Sequence, residues 1–398
     1  MARGSRRCST IIRSSYAPCS PASCKPSTTS ARIGRKWAEL QGARDWAGLL
    51  SPLDGALRGE LVRYGAFVRA AYASFEDAAD ARAPSYGSCR FPTASLLRRA
   101  GLPETGYRVT RILHAAASST SAPRWLSSSC SSSSSSSSSY IGFVAVCDDE
   151  EEIERLGRRD VVVAFRGTAT RGEWVDNLQS SLTRLPPPHG GSHSHSNAAG
   201  EEEEEEEPMV ERGFWRLFTA PGEAHSSLQE QVRGEVERIV HEYGGDNGTP
   251  PLSVTVTGHS LGAALAVLTA YEITTSATQQ DAAPMVTAVS FGGPRVGNAA
   301  FRRKLEESGC KVLRIVNSND IVTKVPGFPV DDDERVSSSS ESSGARRRTR
   351  VPRWLVAKMG WAYSDVGREL LLCSEDSASS NVVASHDLDL YLKLVAAA

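Results

Sequence analysis

The sequence predicts an α/β fold, a largely parallel sheet flanked by helices, with a helical extension at its N-terminus. Three observations predict it. Short, nearly all-apolar runs rich in β-branched residues recur along the chain, as buried parallel strands require. Helical stretches alternate with those runs, the order that layers helices on both faces of one sheet. One such run, Val254-Thr-Val-Thr-Gly-His-Ser260-Leu-Gly-Ala-Ala-Leu265, stops at a glycine and passes straight into Ala- and Leu-rich sequence, a strand–turn–helix pattern.

Residues 1–36 hold eight basic residues and no acidic one among abundant Ser and Thr. That composition reads as an organelle transit peptide, and Ile11-Ile12, the longest aliphatic run, is too short for a secretory signal. The expected mature chain is therefore 37–398. Leu57, Leu61, Tyr64, Val68, Tyr72 and Phe75 recur every three or four residues, which predicts an amphipathic helix over 54–75. Tyr140-Ile-Gly-Phe-Val-Ala-Val146 and Asp160-Val-Val-Val-Ala-Phe165 read as successive strands, and Leu228–Glu242 as a helix. Val286–Phe291 and Lys311–Asn317 are further strands. Three low-complexity inserts interrupt the pattern: polyserine over 127–139, a Pro/Gly/His tract ending in seven glutamates over 186–207, and an acidic, Ser- and Arg-rich tract over 331–350. Such compositions offer too little apolar surface to order themselves.

Gly258-x-Ser260-x-Gly262 between strand and helix is expected to form a nucleophile elbow, with the Ser260 hydroxyl standing free above the strand ends. A side chain at Gly258 or Gly262 would collide as strand and helix close up. A serine needs a base and a carboxylate that orients the base. In α/β-hydrolases these follow the serine in the order acid, histidine. His386 is the one histidine C-terminal to Ser260. Asp320 stands in the loop after the strand 311–317, where such an acid belongs, although an aspartate there also suits a plain turn. Asp331 to Asp333 lie in a polar tract, and Asp365 and Asp376 do not follow a clear strand. An oxyanion needs two preorganised donors. The N–H of Leu261, after the nucleophile, is one. The strand end Arg166-Gly167-Thr168 offers the other, since Gly167 lets the backbone turn and Thr168 has both an N–H and a hydroxyl.

Phe165-Arg-Gly-Thr168 with Glu173-Trp174, the elbow, Phe291-Gly-Gly-Pro-Arg-Val-Gly-Asn298, Ile315–Gly327 and Ser385-His386-Asp387-Leu388 together resemble the class 3 (fungal-type) lipase family. Trp37–Gly42, Trp46–Asp54, Arg58–Gly65 and Tyr86–Cys89 are similar to the plant plastidial phospholipase A1 group of DAD1-like acyl hydrolases. The resemblance implies an α/β-hydrolase fold, Ser260, Asp320 and His386 as catalytic residues, Thr168 and Leu261 as oxyanion hole, and a short lid helix over 169–178. It implies sn-1 deacylation of plastid phospholipids or galactolipids without a cofactor, release of fatty acids for oxylipin or jasmonate synthesis, and a chloroplast location in the stroma or at the plastoglobule or thylakoid surface.

Composition narrows the classes. There are 45 basic and 47 acidic residues in all, and the segment after residue 36 is acidic, which argues against nucleic acid as a partner. The cysteines form no Cys-x-x-Cys, so neither a disulfide framework nor a zinc site is indicated, and His193 and His195 lack further ligands. No metal is expected. No apolar run reaches the roughly 18 residues of a membrane span, so contact with membrane lipid is expected to be peripheral. Arg346, Arg347 and Arg348, with Trp354 and Trp361, suggest docking on an anionic lipid surface. A triacylglycerol lipase or carboxylesterase would use the same three residues, and a lipase-like signalling scaffold would keep the fold without the reaction.

Overall fold

The computed structural model describes residues 30–76, 87–116, 138–168, 181–186, 206–244, 249–277, 283–325, 363–373 and 382–398. The first half runs α1 (Ser30–Leu40), α2 (Gly55–Ala73), α3 (Leu96–Arg99), β1 (Tyr107–Ala116), β2 (Ser138–Cys147), α4 (Glu150–Leu156) and β3 (Arg159–Phe165). Then come β4 (Leu182–Arg184), β5 (Met209–Glu211), α5 (Arg212–Thr219), α6 (Leu228–Tyr243), β6 (Leu252–His259) and α7 (Leu261–Ala277). The last part holds β7 (Met285–Phe291), β8 (Gly297–Asn298), α8 (Ala299–Glu307), β9 (Lys311–Asn317), β10 (Tyr363–Ser364) and β11 (Arg368–Leu372). A single turn, Val382–Ser385, and a C-terminal helix, Leu388–Ala397, close the chain.

Seven strands form the central sheet in the order β1-β2-β3-β6-β7-β9-β11. From β3 to β11 every pairing is parallel, while β1/β2 and β2/β3 are antiparallel. This is the α/β-hydrolase arrangement the sequence predicts. Side chains alternate between the two faces of a strand, and β3 shows where each face goes. Val161, Val163 and Phe165 join the core under α5, α6 and α7. Val162 and Ala164 join the core under α2 and the C-terminal helix. Both faces are covered, which is why the strands are apolar throughout.

Helix α1 crosses the position where composition places the transit boundary. The expected boundary between residues 36 and 37 falls inside α1. Gly34 in that helix packs so closely on Gly157 that a Cβ on Gly157 would lie 2.2 Å from the Gly34 carbonyl oxygen. Trp37 lies under the Arg158 guanidinium, 5.7 Å from the ring centre. The helix expected over 54–75 spans Gly55–Ala73, and Asp54 caps it by accepting the N–H groups of Ala56 and Leu57.

Two inserts are trimmed by the fold. Ser138 and Ser139 belong to β2, opposite Ala116 and Ala115, because a ladder of backbone bonds does not require apolar side chains. Glu206 and Glu207 hold the side chain of Asn298, whose Nδ2 donates to Glu206 Oε1 (3.0 Å) and to the Glu207 carbonyl (2.8 Å). The tract 331–350, the lid segment 169–178 and the Arg346–Trp361 cluster lie outside the described residues, as do His193 and His195. Sequence patterning missed β1, β11 and a second sheet of four short strands, β10-β8-β5-β4. Strands of two or three residues carry too little period to detect. Among the described residues no helix is long and apolar enough to cross a membrane.

Candidate active site

The site is built at the C-terminal ends of β3, β6 and β9. β6 ends at His259, and Ser260 follows at φ +60°, the left-handed region that a residue with a side chain rarely adopts. Holding it there costs about 1–2 kcal/mol, supplied by the bonds on either side of the turn. The Ser260 N–H donates to the Phe291 carbonyl (3.1 Å) at the end of β7, and the Ser260 carbonyl accepts from Ala263 (3.0 Å) in the first turn of α7. The two flanking glycines are needed for close approach. A Cβ at Gly258 would stand 2.2 Å from the Gly262 carbonyl oxygen, and one at Gly262 would stand 2.5 Å from that of Arg166. Ser260 is only 3% exposed. The backbone geometry is that of an elbow, and the residue as a whole is buried.

Asp320 and His386 meet across 66 residues of sequence. His386 Nδ1 lies 2.7 Å from Asp320 Oδ2. A carboxylate accepts, so Nδ1 carries a proton, and in the neutral ring the lone pair is then on Nε2. Asp320 is fully buried. Its Oδ2 accepts a second bond from the Tyr391 hydroxyl (2.7 Å), and Oδ1 accepts from the Val322 N–H (2.9 Å). Three donors fix the carboxylate in place. Tyr391 in turn accepts from the Asn317 N–H (3.1 Å), and burial together with the neighbouring Asp320 pushes its phenol well above the usual range. Asp365 is spoken for elsewhere, paired with Arg295 (3.0 Å) and Arg314 (3.3 Å).

The oxyanion-side residues lie against the elbow. Gly167 abuts Ser260 so closely that a Cβ on it would be 3.0 Å from the Ser260 Cβ. Thr168 and Leu261 are both buried. Leu261 opens α7, so its N–H belongs to the first turn, which has no intrahelical acceptor. The strand end is fastened by Arg166, whose Nε donates to the Tyr140 carbonyl (2.9 Å) and Nη1 to its neighbour's, Gly167 (2.8 Å), with the guanidinium 3.9 Å above the Phe75 ring. All seven residues singled out from sequence therefore gather at one end of the sheet. Tyr391, Asn317 and Arg166 were missed as parts of the site. Arg166 lay inside the strand-end motif and was legible there, whereas Tyr391 and Asn317 bore no signal apart from their proximity to His386 and Asp320 in sequence.

Such an arrangement can deliver a serine nucleophile, a histidine base and two N–H donors to a carbonyl carbon. Comparison with known proteins gives the same direction. The family model "Lipase (class 3)" matches residues 162–330. The chain is 47% identical over 375 residues to phospholipase A(1) DAD1, chloroplastic, of Arabidopsis thaliana, covering 93% of this chain and 78% of the relative. It is 36% identical over 377 residues to the galactolipase DONGLE, chloroplastic, of Arabidopsis thaliana, with 91% and 70% covered. It is 37% identical over 375 residues to phospholipase A1 EG1, chloroplastic/mitochondrial, of Oryza sativa subsp. indica, with 92% and 76% covered.

Proposed function

This chain belongs to the class 3 lipases and is a carboxylic-ester hydrolase, and from that premise we propose that it deacylates polar glycerolipids of plastid membranes at the sn-1 ester. Ser260 Oγ attacks the ester carbonyl as its proton passes to His386 Nε2. The imidazolium so formed is held and balanced by Asp320, and the oxyanion by the N–H groups of Leu261 and Thr168. Collapse expels the lyso-lipid alkoxide, which takes the proton from His386. Water then attacks the acyl-serine with the same histidine as base, and free fatty acid leaves.

One observation carries the reading: the 2.7 Å contact of His386 Nδ1 with a fully buried Asp320, in a loop bonded through the His386 carbonyl to His259, the residue before a serine in the left-handed conformation. No structural role of a surface loop calls for either. The substrate class rests on the relatives, whose names specify phospholipase A1 and galactolipase activity and a chloroplast. The transit-like composition before α1 supports import into a plastid, with cleavage N-terminal to Ser30 so that α1 stays whole. The stromal side of a membrane or a plastoglobule surface is where such a chain would meet its lipid.

The test is incubation of the purified chain with a total plastid lipid extract, with lyso products identified by mass spectrometry. Release of 2-acyl lyso-phospholipids or lyso-galactolipids that is lost in Ser260→Ala is expected. Hydrolysis confined to triacylglycerol would reassign the enzyme as a neutral-lipid lipase, and no product from any lipid would point to a scaffold.

A further inference from the structure

Helix α2 lies outside the residues that the family model matches, yet its last turn ends at the reaction centre. Tyr72 Oη is 2.9 Å from His259 Nδ1, and His259 Nε2 is 2.9 Å from the carbonyl oxygen of His386. A carbonyl oxygen can only accept, so Nε2 carries the proton. In the neutral ring the lone pair is then on Nδ1, and the Tyr72 hydroxyl must be the donor. The bonds run in one direction, from the tyrosine O–H through the imidazole to the backbone of the candidate base. His259 is 5% exposed, and its ring centre is 4.7 Å from that of His386.

His386 needs outside support. It sits between a single helical turn and the C-terminal helix, in neither of them. The carbonyls of Ser385 and His386 instead accept from side chains rooted at the ends of two sheet strands, Asn317 Nδ2 (2.9 Å) on β9 and His259 Nε2 on β6. The Tyr72 hydroxyl also stands on the oxyanion side. A Cβ at Gly167 would lie 2.3 Å from Tyr72 Oη and 2.7 Å from the His259 carbonyl oxygen. One hydroxyl therefore touches the residue before the nucleophile and the loop that faces it.

We propose that Tyr72 and His259 are positioning residues of this hydrolase: they clamp the His386 backbone in register with Ser260, and through Tyr72 the N-terminal helix becomes part of the catalytic unit. The inference rests on His386 being the base.

The test uses the whole chain, a soluble short-chain p-nitrophenyl ester, and a fluorophosphonate that labels the active serine. His259→Ala is expected to lower kcat about 10²-fold, the scale of an ångström of misplacement at a reacting group, with KM unchanged and labelling slowed in parallel. His259→Gln returns a neutral N–H donor near the Nε2 position and is expected to recover a large part of the loss. A role in packing alone would not give that rescue. Tyr72→Phe, which removes one oxygen atom, should lower kcat by roughly tenfold or less. Wild-type kcat in Tyr72→Phe and His259→Ala overturns the relay, as does a His259→Ala loss that His259→Gln leaves untouched. Should His259→Ala fail to fold, unchanged kcat in Tyr72→Phe overturns it alone. A wild-type chain that the phosphonate does not label removes the serine-hydrolase assignment itself, and is distinct from labelling with indifferent variants.

Discussion

At the N-terminal ends of the strands, Glu60, Arg63, Arg158 and Asp160 form a buried ionic cluster; at the C-terminal ends, Asp320 faces His386. The first is closed. Arg158 Nη2 and Arg63 Nη2 both reach Glu60 Oε2, at 2.9 and 2.7 Å, and Arg63 Nη1 lies 3.2 Å from Asp160 Oδ2. Ser253 Oγ and the Tyr107 hydroxyl complete Asp160, each at 2.8 Å. Two cations balance two carboxylates in the resting protein. The second is open. Asp320 accepts three donors, and none of them is a guanidinium or ammonium group. In the proposed reaction its compensating charge arrives as His386 takes the serine proton. Breaking an ion pair that is already formed in the ground state costs stability, whereas a carboxylate that gains its partner in the transition state lowers a barrier. Helix α2 joins the two ends, since Glu60 and Tyr72 are twelve residues apart, about 18 Å at 1.5 Å per residue.

If the ends differ in this way, substitutions should separate activity from stability. The largest effect belongs to the open end. Ser260→Ala or His386→Ala should lower turnover by about 10⁶-fold, the loss seen on removing either residue in a serine hydrolase, with the urea midpoint unmoved. Asp320→Asn should cost about 10⁴-fold through the wrong tautomer. Wild-type-like activity in His386→Ala would break the comparison outright.

At the closed end Arg158→Met should do the reverse. Removing one partner of a buried pair costs about 3–5 kcal/mol, read as a lower urea midpoint, while turnover per active site, counted by phosphonate titration, stays near wild type. A fall in turnover per site larger than the fall in folded fraction would mean that the cluster reaches the chemistry.

The closed end also has a pH signature. Burial alone would raise the Glu60 carboxyl, but Arg63 and Arg158 outweigh it and hold it at about 2. Its folded value is below its unfolded one, so its contribution is fully present above the unfolded value of about 4.3. That contribution is lost as pH falls toward and through 2. Urea midpoints should therefore fall across that window in the wild type and fall less steeply in Glu60→Gln. Parallel curves for the two proteins would contradict the pairing.

The smallest effect should come from Tyr391→Phe, which removes one of the three donors on Asp320. A hydrogen bond to a charged group contributes about 1.5–3 kcal/mol, of which only the part that differs between ground and transition states reaches the rate. A loss in kcat within about tenfold, with unchanged KM for a soluble ester, would place Tyr391 beside the triad rather than in it.

Much of this was legible in the chain itself. Val161–Phe165 and Lys311–Asn317 read as buried strands because a parallel sheet demands apolar residues on both faces. The elbow read as one because only glycine tolerates the approach at 258 and 262. His386 stood out as the single histidine after Ser260, and Asp320 by its place at a strand end, so the sequence by itself singled out the groups proposed to react. It did not determine what holds them. The boundary at residue 36 followed charge, and charge does not report that Gly34 packs on Gly157. The ionic cluster joins Glu60 to Arg158 across 98 positions, and the clamp joins Tyr72 to His259 across 187. Contacts of that span leave no periodicity and no local composition behind. They exist only after the helices have closed on the sheet, because a buried donor then takes whichever acceptor the packing brings within about 3 Å.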